Sequence, residues 1–96
     1  MKKFQAIIEF TIDNEFMSLV PAHRTYINFL INKNTIDSYI VCMEPQKVWV
    51  TINAETREEA ATILSRSPLY KYWNMVIHEI FIYDGQLYRL PVLQLN

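Results

Sequence analysis

Glycine occurs once in these 96 residues, at Gly85, and cysteine once, at Cys42. A phosphate-cradling loop or a dinucleotide-binding turn needs several glycines, because the backbone must approach the phosphate closely. Neither can be built here. A single cysteine excludes an intrachain disulfide, and a reducing cytoplasm is the simplest expected compartment. No apolar run approaches ~20 residues and no basic-apolar-small leader opens the chain, so no membrane association is expected. Charge of one sign is also missing. Nine basic and ten acidic side chains leave a net charge of −1, and the longest basic run is Lys2–Lys3. Nothing in this balance recruits nucleic acid or an anionic membrane surface.

What is abundant is apolar and aromatic surface: 51% of the residues are hydrophobic and 14% aromatic. That composition excludes disorder. A single domain of this length folding alone buries only about 65% of its unfolded surface. So many apolar side chains exceed what one such domain hides, and a homodimer or higher homo-oligomer is expected.

The patterning predicts an α+β fold. In "FQAIIEFTI", residues 4–12, Phe4, Ala6, Ile8 and Phe10 alternate with Gln5, Ile7 and Glu9, as in a strand. Val20, His23, Ile27, Leu30 and Ile31 recur at helical spacing. They predict a helix from roughly 19 to 33, capped by Ser18, with Pro21 in its first turn. "TIDSYIVCM", residues 35–43, and "KVWVTINA", residues 47–54, read as a hairpin around a turn at "EPQ". In the second strand Ile36, Ser38, Ile40 and Cys42 are expected on one face, with Asp37, Tyr39, Val41 and Met43 on the other. "TREE" from Thr56 to Glu59 is a capping box that opens a second helix, closed before Pro68. "NMVIHEIFIY", residues 74–83, is a fourth strand. Asp84-Gly85 is a hairpin signal, and the apolar stretch from Gln86 to Asn96 follows as an arm directed at a neighbouring subunit. The order β-α-β-β-α-β is the ferredoxin-like arrangement, with residues 1–83 as the core of one domain and 84–96 as the arm. Its helix-free sheet face is apolar and calls for a second subunit.

The segments "PAHRTYINFLINKNTI", "AETREEAATILSRSPL" and "VIHEI" together resemble the dimeric α/β-barrel superfamily. The nearest resemblance is to muconolactone isomerase-like and YCII-related proteins, over about residues 3–82. The most telling pieces are "LSRSPL" before strand four and the spacing of Tyr26 to Leu30. The resemblance implies two ferredoxin-like subunits with their sheets face to face and a small pocket between each sheet and its helices. It implies proton transfer on a small unsaturated lactone or related carbonyl compound without a cofactor. It also implies a functional histidine after a Pro-Ala pair, here His23. Where YCII-related proteins carry an aspartate before a proline, this chain has Ser67.

His23 is the first candidate for catalysis. On the inward stripe and in the first helical turn, helix dipole and burial would both hold its imidazole neutral, as a base requires. The competing reading is a buried histidine satisfied by its neighbours. Tyr26, three residues on, is the candidate helper, or a tyrosine at the core edge. "SPLYKYWNM", residues 67–75, holds Ser67, Tyr70, Tyr72 and Trp73, which with Trp49 and Arg24 are candidate substrate-binding residues. Leu69 and Trp73 are expected buried, and Tyr70 or Tyr72 flanking a cleft. Arg66 and Lys71 are further candidates to meet an anionic ligand, or plain solvated charges. His78 has no companion at metal-ligand spacing, so no metal site is expected. Two functions stay open: a cofactor-independent small-molecule enzyme with His23 as base, and a non-catalytic ligand-binding or assembly module using the same cleft. An enzyme should leave His23 beside an open cavity; a module should seal it.

Overall fold

The computed structural model describes residues 1–84, so the expected arm beyond Asp84 lies outside the described residues. The elements are β1 (Lys2–Phe10), α1 (Phe16–Asn32), β2 (Ile36–Cys42), β3 (Lys47–Ala54), α2 (Arg57–Ser65), a short 3-10 turn (Tyr70–Tyr72) and β4 (Trp73–Glu79). The strands form one antiparallel sheet in the order β2-β3-β1-β4. This is the ferredoxin-like α+β fold.

α1 starts three residues earlier than the apolar stripe predicts. The Asp13 carboxylate, not the Ser18 hydroxyl, accepts the N–H groups of Glu15 and Phe16, each at 3.0 Å. Phe16 is buried by stacking on Phe10 at 5.6 Å, which pulls "FMS" into the helix. Pro21 is therefore the sixth helical residue and not in the first turn. It cannot donate to the carbonyl one turn back, a loss that burial of the helix face must offset. At the other end Asn34 takes φ 64°, and the N–H groups of Asn34 and Thr35 bond to Ile31 and Leu30 at 3.0 and 2.9 Å. These two bonds close α1 in a Schellman motif.

The second helix follows its capping box. Thr56 Oγ1 accepts the Glu59 N–H at 3.0 Å, while the Glu59 carboxylate accepts the N–H of Glu55 at 3.3 Å. β1 and β4 are both displaced from the expected spans. β1 begins at Lys2 and ends at Phe10. β4 ends at Glu79, opposite Phe4, with a last bond from Ile80 N–H to the Lys3 carbonyl at 2.9 Å; past it the first strand has little left to pair with.

Period-two alternation divides the sheet into two faces. Phe4, Ala6, Ile8 and Phe10 of β1 join Val48, Val50, Ile52 and Ala54 of β3 under Ile27 and Leu30 of α1 and Ala60 and Leu64 of α2. A register shift between Ile36 and Ser38 breaks the expected alternation of β2. Ile36 and Tyr39 consequently share the helix-covered side, and Ser38 and Ile40 the other. On the uncovered face Ile40, Trp49, Ile7 and Val76 are register partners in one apolar row across all four strands. The neighbouring row, Ser38, Thr51, Gln5 and His78, is polar. In it the Ser38 hydroxyl donates to Thr51 Oγ1 and the Thr51 hydroxyl to Gln5 Oε1, both at 3.0 Å.

Thr56→Ala removes the cap and is expected to lower stability by about 1 kcal/mol. A shift of the urea midpoint without a change of slope is the expected reading.

Candidate functional site

His23 is the eighth residue of α1 and only 2% exposed. Both ring nitrogens are engaged by side-chain hydroxyls. Nδ1 lies 2.7 Å from Ser67 Oγ, and Nε2 lies 2.5 Å from the Tyr39 phenol oxygen. Three elements distant in sequence thus meet on one imidazole: the helix, the edge strand β2 and the link after α2. The Trp73 ring, at the start of β4, stands edge-on to the imidazole with centroids 5.7 Å apart and planes at 87°. Tyr39 extends from the row Tyr39, Val50, Ala6, Ile77 of the covered face, where Ala6 leaves a low floor.

Ser67 is placed by its own turn. Its Oγ accepts the Leu69 N–H at 3.0 Å, and its carbonyl accepts the Tyr70 N–H at 3.1 Å. The proline at 68 supports this by keeping Ser67 out of helical geometry. Two proton arrangements satisfy the imidazole. In one, the Tyr39 hydroxyl donates to Nε2 and Nδ1–H donates to Ser67 Oγ. In the other, the Ser67 hydroxyl donates to Nδ1 and Nε2–H donates to the Tyr39 oxygen, which frees the phenol proton to point elsewhere. The two arrangements are tautomers with the same protons, and they differ in whether the phenol proton is spent on the imidazole or left free on the half-buried tyrosine.

Burial depresses the His23 pKa to about 4, with the nearby Arg24 guanidinium adding to the effect. The imidazole is neutral at pH 7. The expected cause differs in one respect: the helix-end field falls off within the first turn, and His23 lies beyond it. Burial also raises the Tyr39 pKa to about 12, so the phenol keeps its proton, although Arg24 opposes the rise. The Arg24 guanidinium lies 5.7 Å from the Tyr39 ring centroid.

The structure therefore brings together His23, Ser67, Trp73 and Arg24, and adds Tyr39. Tyr70 stands against Trp73, with centroids 6.1 Å apart, and is exposed. Leu69 is buried and Trp73 only half-buried. Three expected members fall elsewhere. Tyr26 does not reach His23; its hydroxyl donates to the Ile63 carbonyl at 2.7 Å, because three residues turn it toward α2. Tyr72 packs edge-on against Phe16, and its hydroxyl donates to Glu15 at 3.2 Å beside Lys71, which bonds the same carboxylate at 2.5 Å. Trp49 points to the uncovered face, because it alternates with the buried Val48 and Val50. The signal that identifies Tyr39 is its place in an apolar strand. It was hidden by the register shift, which defeats counting by twos from Ile36. Among the described residues no group of three or more His, Cys, Asp or Glu could hold a metal ion.

No protein-family model and no curated protein matches the chain. Among solved structures, the fold matches 5-chloro-2-hydroxyhydroquinone dehydrochlorinase from Burkholderia phenoliruptrix AC1100 in complex with 2,5-dihydroxybenzoquinone. The TM-score is 0.57 at 10% sequence identity, covering 88% of this chain and 97% of that one. At that identity the likeness shows the shared fold alone. Among the described residues no helix is long and apolar enough to cross a membrane.

A histidine held at a pKa of about 4 in the folded chain and about 6.5 when unfolded binds its proton only on unfolding between those values. Its contribution to stability is complete above pH 6.5 and declines as pH falls toward 4. Unfolding titrations across that range should show the decline in the parent and a flatter profile in His23→Gln.

Proposed function

We propose that this chain is a cofactor-independent small-molecule enzyme that moves a proton on a small unsaturated lactone or related carbonyl compound. The Ser67–His23–Tyr39 chain carries this reading. Tyr39 is the member that meets substrate, since it is half-buried while His23 and Ser67 are sealed. A proton taken from a carbon acid enters at the Tyr39 oxygen as the phenol proton passes to Nε2. The resulting imidazolium is disfavoured by its burial, so the proton returns promptly to a second position on the same substrate. Such a relay suits an internal proton shift better than a net deprotonation. Arg24 beside the Tyr39 ring offers charge for a developing enolate oxygen. The dehydrochlorinase with the same fold is in complex with a small dihydroxybenzoquinone, which is in keeping with substrates of this size.

The competing reading, a non-catalytic ligand-binding or assembly module, is favoured by one observation: His23 is enclosed and both its nitrogens are occupied. Turnover separates the two. Purified protein in deuterated buffer with unsaturated lactones and hydroxyquinones should catalyse exchange or shift of a substrate C–H. His23→Gln and Tyr39→Phe should each lower the rate by roughly 10²–10⁴-fold. No turnover in the parent, or full turnover in His23→Gln, removes the enzymatic reading.

The same proposal includes a homodimer through the uncovered sheet face, in a reducing cytoplasm. Ile40 and Val76, at the two ends of the apolar row, are 52% and 55% exposed in the single chain. The row is self-complementary about its Trp49–Ile7 centre, as a two-fold contact requires. The polar row beside it satisfies much of its own hydrogen bonding, so burying it against a partner leaves few orphaned groups. Trp49→Glu is expected to convert a sedimenting dimer to monomer. A parent that sediments as a monomer at micromolar concentration overturns the assembly.

A further inference from the structure

Two residues singled out by the sequence, Tyr26 and Arg66, take no part in the His23 site. They meet in a groove of about 320 Å³ between the helices. Tyr26, Phe29, Leu30 and Lys33 of α1 face Ile63 and Arg66 of α2. The α1 positions are spaced i, i+3, i+4 and i+7, so they form one continuous stripe about 10 Å long. Since β1 and β3 are antiparallel and each is followed by a returning helix, the two helices also run antiparallel. The bond from the Tyr26 hydroxyl to the Ile63 carbonyl fixes their register. Tyr26 and Arg66 therefore occupy one end of the groove. Lys33 occupies the other, with Glu59 of the capping box also lining that end.

The two ends differ in charge. Lys33 shares its end with a carboxylate, and its ammonium also lies 5.0 Å from the Phe29 ring centroid. Arg66 has no carboxylate near it in the groove lining. Among the described residues its guanidinium makes no ion pair or side-chain hydrogen bond, whereas Lys2, Lys3, Lys47 and Lys71 are each paired with a carboxylate. A cation at the end of α2 is favourable for the helix in itself. That does not account for the Phe29 ring, 55% exposed on the opposite wall of the same groove.

We propose that this groove binds a small amphipathic monocarboxylate. The Arg66 guanidinium holds the carboxylate, which its planar fork can grip with two bonds. The apolar body lies along Phe29, Leu30 and Ile63 toward Lys33. The volume sits at the lower end of the ~300–1,000 Å³ typical of small-molecule sites. Glu59 at the far end disfavours a second carboxylate there. The site is separate from the Ser67–His23–Tyr39 chain and does not rest on its catalytic role.

Calorimetric titration of the full chain with octanoate, and with octanamide as its uncharged counterpart, tests the proposal. Octanoate should bind with 1:1 stoichiometry at about millimolar affinity or tighter. Octanamide, and octanoate with Arg66→Gln, should bind at least about tenfold more weakly. Phe29→Ser should weaken both ligands. Lys47→Gln, which removes a cation outside the groove, should leave octanoate binding unchanged. Phe29 and Arg66 are both exposed, so their replacement leaves the core intact, which the urea midpoint verifies. No octanoate binding overturns the site, as does equal affinity for octanamide and in Arg66→Gln. Loss of binding in Lys47→Gln would show that octanoate follows surface charge and not the groove, with the same consequence.

Discussion

An imidazole buried among apolar side chains is tolerable only when both nitrogens find partners, and that requirement organises the covered side of this protein. His23 satisfies it with two hydroxyls delivered from opposite directions. Ser67 must be held by a turn tight enough to keep its Oγ available, which the Leu69 N–H and the following 3-10 turn accomplish. Tyr39 must cross from an edge strand, which is possible because its row passes over Ala6 and Val50 and not over larger side chains. Removing either hydroxyl leaves a buried nitrogen unpaired, so the hydrogen bonds that line up Ser67, His23 and Tyr39 also keep the core closed.

The same pair of demands explains why the site is neutral. Desolvation acts on His23 and Tyr39 in opposite directions, lowering the pKa of one and raising that of the other. Both shifts favour the uncharged pair, imidazole and phenol, over imidazolium and phenolate. Transfer of the phenol proton to the imidazole alone would create the two charged forms that burial disfavours, so the proposed relay requires a proton to reach the Tyr39 oxygen in the same step.

Much of this fold is legible in the residues. The alternation of Phe4, Ala6, Ile8 and Phe10 marks β1 as a strand with these residues on its core face, and the Thr56–Glu59 box marks the start of α2. His23 stands out because a histidine on an apolar helical stripe needs partners. The errors come from interactions that cross the chain. α1 begins at Phe16 because Phe10 and Tyr72 bury its ring, contacts that no local pattern reveals. Tyr39 was hidden because a one-residue irregularity in β2 transfers it to the face opposite the one that simple counting assigns. Residue type alone groups Trp49 with the aromatics near Trp73, whereas its own strand places it on the other face. Proximity in sequence links Tyr26 to His23, but the helix turns it toward α2. In each case the residue type is informative, and where the side chain goes depends on how its element packs or pairs.

That register has a consequence for how the two faces communicate. Tyr39 and Ile40 are consecutive on β2, one pointing to the imidazole and the other into the apolar row of the uncovered face. β2 is an edge strand, paired on one side only, so its position is less constrained than that of the central strands. A partner laid over Ile40 and Trp49 would restrain the strand from the outside, while the bond from Tyr39 to His23 restrains it from within. The 2.5 Å contact of Tyr39 with His23, on which the proposed relay depends, lies one residue from the position a proposed partner would cover. Adjacent residues of the edge strand thus carry the two proposed roles, proton transfer at Tyr39 and assembly at Ile40.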